Sequence, residues 1–296
     1  MIDLSETKIL VVGDIMLDHY ICGNVERISP EAPVPILKVT NEYSTLGGCG
    51  NVARNIRQLG PIVVCLSAHG TDSSGNEILE LLQYQGISSR CIKKDEYIKT
   101  TKKTRVVSGS QEVQMLRIDD EFYIEYDLSE QIKLIPNDID LIVVSDYNKG
   151  VVTKELMDSL RKLNKPIIID PKIRKDSEIL YDKVFMITPN KKEFENMIMP
   201  SNVEFILKTL GEYGMELIGY GDNTYIQSTP VPVFNVSGAG DTVVAILAIC
   251  IANNFDVLTS AKIANDCAKY VVSQKGTSVV SYNIFQNIME KYGCKV

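Results

Sequence analysis

Apolar residues in this chain gather in short unbroken runs, with longer stretches of helical periodicity between them. Residues 8–13, Lys-Ile-Leu-Val-Val-Gly, form the kind of continuous run that marks a strand buried on both faces. Comparable runs occupy 62–66, 139–144, 166–170 and 184–187, and helical patterns fall around 75–85, 153–163 and 190–198. This alternation predicts an α/β fold, a mostly parallel sheet flanked by helices on both faces. Beyond residue 200 the pattern predicts short strands at 215–219, 224–228 and 231–236. A long apolar helix then opens at Asp241, and a second one, around 257–274, ends at a Lys275-Gly276-Thr277 turn.

Two segments break the alternation. Residues 19–46 lack helical periodicity, and Arg27-Ile-Ser-Pro-Glu-Ala-Pro-Val-Pro places three prolines ahead of a β-rich run. Proline removes the donors a helix needs and confines strands to sheet edges. A hairpin is expected from 103–107 and 113–118, turning near Gly109-Ser110. Together these predict a small β lid outside the main sheet. Without linkers or repeats, residues 1–296 read as one domain with lid segments inserted at about 19–46 and 100–118.

Composition narrows the function classes. A net charge of −7 and a pI near 5.1 argue against a broad basic surface for nucleic acid. No apolar run approaches a membrane span, and the first residues lack a basic stretch followed by an apolar one. The seven cysteines are scattered without a Cys-x-x-Cys, and the two histidines complete no zinc-ligand spacing. Reduced thiols in a cytoplasm are the expectation.

Candidate chemistry sits where strands end. Asp14 closes the first run and Asp18 follows four residues on. Carboxylates at the carboxyl ends of central strands lie where open α/β sheets bind ligands, and as acceptors they suit sugar hydroxyls. Gly47-Gly48-Cys49-Gly50-Asn51 opens a helix that runs to about Gln58. It contains a Gly-x-Gly-x-x-Ala pattern like that of dinucleotide sites. The preceding strand is expected to end near Thr40, too early for that turn. The glycines are instead expected to let a sugar approach, with Asn51 hydrogen-bonding it. Ser145-Asp146, Asp170-Pro171-Lys172, and Thr188-Pro189-Asn190 with Glu193 end further runs. Near the C-terminus, Ser237-Gly238-Ala239-Gly240-Asp241 precedes the apolar helix. Bare N–H groups at a helix N-terminus suit a phosphoryl group. A carboxylate beside them repels phosphate, and is sensible as the base that takes a proton from an attacking hydroxyl. Alone, this stretch reads equally as a capped helix start.

The two glycine elements together change that. Gly47-Gly48-Cys49-Gly50-Asn51 and Gly238-Ala239-Gly240-Asp241, in this order and separation, resemble the two signatures of the ribokinase-like (phosphofructokinase B) sugar kinases over nearly the whole chain. Within that superfamily the chain is most similar to D-glycero-β-D-manno-heptose 7-phosphate kinases. That likeness rests on Val12-Gly13-Asp14-Ile15-Met16-Leu17-Asp18, the Arg27–Pro35 stretch, Thr100-Thr101-Lys102-Lys103-Thr104-Arg105, and Gln114 with Arg117 and Asp119. The resemblance implies transfer of the ATP γ-phosphate to the anomeric hydroxyl of a sugar 7-phosphate. Asp241 would be the base, with Gly238, Ala239 and Gly240 forming the anion hole. Asp14, Asp18, Gly47, Gly48 and Asn51 would hold the sugar. Asn190 and Glu193 would place Mg²⁺, through water, and phosphates. Gly221, Asn265 and Gly276 fall at the nucleotide end. Lys103, Arg105 and Lys172 are candidates for the fixed phosphate on grounds of charge. A homodimer through the lid is also implied.

Four departures qualify the expectation, one being that the segment from Ile173 to Lys183 drifts from the family pattern. Asn235 and Ser237 replace the usual acid and Thr, which leaves a monovalent cation site open, and the 218–223 turn on the adenine side is altered. No His-x-Gly-His element occurs, so a nucleotidyltransferase step would fall to another protein. A kinase for another sugar, a non-catalytic sugar-phosphate sensor and a dehydrogenase are the rival readings.

Overall fold

The structure is a computed structural model describing residues 3–109, 113–219, 222–233, 236–274 and 278–294. Its centre is β1 (Lys8–Gly13), whose alternate residues enter two different cores: Ile9 and Val11 one, Leu10 and Val12 the other. Burial on both faces is why the run is apolar at successive positions. From β1 the chain runs through β2 (Ile15–Ile28), β3 (Pro35–Gly48), α1 (Cys49–Gln58), β4 (Ile62–Gly70), α2 (Ser73–Tyr84) and β5 (Ser88–Asp95). There follow β6 (Lys102–Ser108), β7 (Val113–Asp120), α3 (Ser129–Ile132), β8 (Leu141–Ser145), α4 (Lys154–Arg161), β9 (Ile167–Asp170) and α5 (Ser177–Leu180). The last third holds β10 (Val184–Ile187), α6 (Lys191–Asn196), β11 (Val203–Thr209), β12 (Gly214–Gly219), β13 (Asp222–Gln227), α7 (Ala239–Ala252), α8 (Val257–Val272) and α9 (Tyr282–Lys291).

The main sheet has the order β13-β12-β11-β10-β9-β8-β1-β4-β5. It is parallel from β5 to β11 and antiparallel across β11, β12 and β13. The chain reverses its direction of travel across the sheet at β1, which has β4 on one side and β8 on the other. Ligands bind at such a switch point, beyond the strands' carboxyl ends. One core lies under α1, α2, α7, α8 and α9, and the other under α4 and α5. Helix α7 is apolar all round because sheet and helices enclose it; every residue from Asp241 to Cys250 is buried. No helix among the described residues is long and apolar enough to cross a membrane.

The lid is a separate four-stranded sheet of order β3-β2-β6-β7. Its strands exceed the expected 19–46 and 100–118 segments, because β2 leaves the core directly after Asp14 and β3 returns as far as Gly48. The strand before α1 therefore does not end near Thr40. Residues 231–236 form no strand among those described; Pro230 and Pro232 supply no amide donors for a ladder. Strands β5 and β11 were not signalled by the pattern: Ser-Ser-Arg-Cys-Ile-Lys-Lys-Asp is too polar to read as buried, and β11 carries Glu204 and Lys208.

Candidate active site

Four strands deliver polar groups to one rim of the main sheet. Asp14, just past β1, is buried. Its carboxylate accepts the N–H of Tyr147 at 2.8 Å, of Lys149 at 3.1 Å and of Val151 at 3.1 Å. Burial and the nearby Asp146 charge raise its pKa to about 6 against the pull of those three bonds. Asp14 thus holds the loop after β8, at the rim where the sequence places it. In the same loop, Asp146 accepts from Arg174 at 3.0 Å and from the Tyr181 hydroxyl at 2.8 Å, buried beneath the rim.

Asp241 lies in the first turn of α7, where Gly238 caps the helix in the left-handed region (φ +82°) and the next backbone amides have no intrahelical acceptor. A side chain at Gly240 would meet nothing within 4 Å, so the approach to those amides is open. Asp241 is buried and accepts the Asn51 amide at 2.5 Å and the Tyr147 hydroxyl at 3.2 Å. Burial raises its pKa, aided by the charge of Asp18; the two hydrogen bonds and Arg54 act the other way. Asn51 therefore joins the Gly-rich start of α1 to the candidate base. One helical turn on, Asn55 ties α1 to α7 by accepting from Thr242 at 3.2 Å. The Tyr147 phenol, pushed well above its ordinary value by the Asp241 charge and by burial, remains a donor.

A cleft of about 180 Å³ opens beside Asp241, lined also by Asp146, Tyr147, Asp170, Lys172, Asn190, Glu193, Gly238 and Gly240. Asn190 and Glu193 form a reciprocal capping box at the start of α6, with bonds of 2.9 and 3.0 Å. This uses Asn190 Oδ1 and Glu193 Oε2; Glu193 Oε1 lies 3.8 Å from the Lys172 ammonium. Asp170 is held well above the usual carboxylate range by burial and by the charges of Asp241 and Glu193. Among the described residues no group of three or more His, Cys, Asp or Glu side chains is arranged around a metal position. The oxygen donors of Asp170 and Glu193 still suit Mg²⁺, which takes one or two carboxylates and completes its shell with water and phosphate.

The lid closes the other side. Gly48 adopts φ +59°, and a Cβ there would lie 2.2 Å from the Asp14 carbonyl oxygen; one at Gly47 would lie 2.8 Å from Asp18 Oδ2. Asp14, Met16 and Asp18 approach these glycines closely, so neither position has room for a side chain. Asp18 bonds Arg105 at 2.7 Å. The Lys103 ammonium lies 5.3 Å from the centre of the Tyr147 ring and 3.7 Å from Glu121, and burial lowers its pKa. Asn265 is buried on α8 and donates to the Gln227 carbonyl at 3.3 Å, binding α8 to β13 at the far end. Gly221, Asn235 and Gly276 lie outside the described residues.

Sequence reasoning did not give Tyr147, Asp170 or Arg54 a role. Asp170 carried a signal as a carboxylate ending an apolar run. Tyr147 carried one only as part of the Ser145-Asp146-Tyr147 resemblance, because its place beside Asp241 depends on the loop that Asp14 holds.

The profile described as pfkB family carbohydrate kinase matches residues 6–283. The Bifunctional protein HldE of Campylobacter fetus subsp. fetus is 36% identical over 310 residues, covering 96% of this chain and 67% of that protein. HldE of Hydrogenovibrio crunogenus is 37% identical over 305 residues, covering 95% and 62%. The chain thus spans only about two thirds of these curated relatives. Phosphofructokinase-2 from Escherichia coli, crystallised with potassium, superposes with a TM-score of 0.77 at 18% identity, covering 97% of this chain and 99% of that one. Arabidopsis thaliana ribokinase, complexed with ribose and ATP, gives 0.73 at 18%, covering 96% and 98%. Those two likenesses establish the ribokinase-like fold. With its two glycine elements brought together at the rim of that fold, the chain belongs to the pfkB family and is an ATP-dependent carbohydrate kinase.

Proposed function

We propose that the protein transfers the γ-phosphate of ATP to the anomeric hydroxyl of D-glycero-D-manno-heptose 7-phosphate, giving the 1,7-bisphosphate. The observation that carries this is the buried Asp241 carboxylate, set in the first turn of α7 beside open backbone amides and fixed by two neutral donors. In this reading Asp241 accepts the hydroxyl proton as that oxygen attacks the γ-phosphorus. The amides of the Gly238–Asp241 turn hold the equatorial oxygens as negative charge moves onto them. Asn51 and Tyr147 keep the carboxylate oriented. Glu193 and Asp170, with Asn190 close by, would hold the Mg²⁺ that comes with ATP, whose positive charge would offset that of the phosphates. Asp18 would hold a sugar hydroxyl, and Lys103, Arg105 and Lys172 supply positive charge for phosphate. The heptose assignment draws support from the identity to HldE and from basic side chains on the lid.

The reading also includes a homodimer through the lid, whose β7 exposes Val113, Leu116 and Ile118, each more than half accessible. A nucleotidyltransferase would act on the product, in the same polypeptide or another. The test is phosphotransfer from Mg-ATP to a panel of hexose and heptose phosphates, with the position of the new phosphate read by NMR. Transfer to O1 of heptose 7-phosphate at the highest kcat/KM is the expected result. A higher value for another sugar would transfer the assignment to that sugar.

A further inference from the structure

Four polar side chains connect the start of α1 to the first turn of α7: Asn51, Asn55, Thr242 and Asp241, all buried. Asn55 follows Asn51 by four residues, so the two share one face of α1. Its Nδ2 donates to the Asn51 main-chain carbonyl at 2.9 Å. The same nitrogen lies 3.5 Å from Asn51 Oδ1, at the outer limit of a hydrogen bond. Asn55 Oδ1 accepts from the Thr242 hydroxyl at 3.2 Å, and that hydroxyl also lies 3.0 Å from the Gly238 carbonyl. Gly238 is the residue whose left-handed turn opens α7.

The groups that cannot change roles fix the direction of every bond. A main-chain carbonyl only accepts, so Asn55 turns its NH₂ to Asn51 and its oxygen to Thr242. An ionised carboxylate only accepts too, so Asn51 turns Nδ2 to Asp241, at 2.5 Å, and Oδ1 to Asn55. Asn51 reversed end for end would set an oxygen against the base and its own NH₂ against that of Asn55. An oxygen facing Asp241 favours the protonated carboxyl, which cannot take a proton from the attacking hydroxyl. We propose that Asn55 is a positioning residue for the phosphoryl transfer. It holds Asn51 in the orientation that donates to the base, and through Thr242 it fastens that pair to the Gly238 turn. The inference rests on the reading of Asp241 as the base and adds what aims it.

The test is the pH profile of kcat/KM for transfer from Mg-ATP to heptose 7-phosphate, or to whichever sugar phosphate of the panel above is turned over fastest. Asp241 also faces the Tyr147 hydroxyl and the charges of Asp18, Arg54 and Asp170, which the variants leave in place. Asn55→Ala suits a helix interior. It should move the acidic limb to higher pH and lower kcat about three- to tenfold, the scale of one neutral hydrogen bond, with little change in KM. Asn51→Ala should move the limb at least as far, and adding Asn55→Ala to it should move the limb no further. Thr242→Val keeps the branched shape without the hydroxyl and should shift the limb the same way by less; Thr242→Ser should return it most of the way. A lower melting temperature in Asn55→Ala with the limb in its wild-type place would make the residue a tie between helices and overturn the proposal. So would a shift in the Asn51→Ala/Asn55→Ala double variant equal to the sum of the single shifts. If Asn55→Ala does not fold, the Thr242 pair decides: a limb in the same place for both variants overturns the proposal. A near-wild-type kcat in Asp241→Asn would instead remove the base reading itself.

Discussion

Asp241 is pulled both ways: it is buried, which favours the protonated form, and it is held by two neutral donors, which favour the ionised form. Asp241→Asn keeps the size of the side chain but cannot take a proton, so kcat should fall roughly 10²–10⁴-fold. Steady-state kinetics beside calorimetric ATP binding checks this, and a near-wild-type kcat would leave Asp241 as a helix cap only. Tyr147→Phe removes one donor and leaves Asn51. Loss of a bond that stabilises the anion raises the Asp241 pKa further. The acidic limb of the kcat/KM profile should then move to higher pH, with a larger loss at pH 6 than at pH 8. A profile displaced downward without a shift would show that Tyr147 only shapes the cleft. Neither partnership was legible in the sequence. The bond from Asn51 to Asp241 joins residues 190 positions apart, and no local pattern marks such a pairing.

At the scale of elements, the strands that read clearly were those buried on both faces, since their composition alone betrays them. β5 and β11 did not, because sheet-edge position or polar neighbours let them carry charge. The lid was legible from its prolines, though its extent was not: β3 continues through Tyr43-Ser44-Thr45, which alternation alone does not distinguish from a loop, and reaches the helix at Gly48. Its exposed apolar residues also give it a testable role. If two lids pack together, Leu116→Lys with Ile118→Lys should place like charges in the interface. Sedimentation should show a dimer for the unmodified protein and a monomer for the double variant, with the melting temperature little changed. A monomer at all concentrations for the unmodified protein would remove the dimer.

Over the whole molecule, four carboxyl groups around one rim, Asp14, Asp146, Asp170 and Asp241, have raised pKa values. An acid raised on folding binds its proton more tightly in the native state. Its stabilising contribution is complete below the unfolded pKa of about 4 and is lost as pH rises through the folded value. For Asp14 that window is about pH 4 to 6, worth at most about 3 kcal/mol. Without ligands, the melting temperature should therefore rise as pH falls from 7.5 to 5.5. Asp14→Asn should flatten that slope, and Mg-ATP should stabilise more at the higher pH, where the rim carries more negative charge. A melting temperature that falls steadily over the same interval would mean that these carboxylates do not dominate the pH response.

The grip of Asp14 on the loop after β8 carries a consequence for how such a site can diversify. All three of its bonds go to main-chain N–H groups, at Tyr147, Lys149 and Val151. The loop's path is thus fixed with little reference to its side chains, except at Asn148, where φ is +55°, and at Gly150, where φ is +107° and a Cβ would lie 1.8 Å from the Ile124 carbonyl oxygen. Positions 147 and 149 face the base and the lid while the track beneath them stays constant. New side chains can be tried there one at a time, each presented in the same register. Exchange at these two positions would accordingly reshape the base's surroundings and the lid contact without moving the loop.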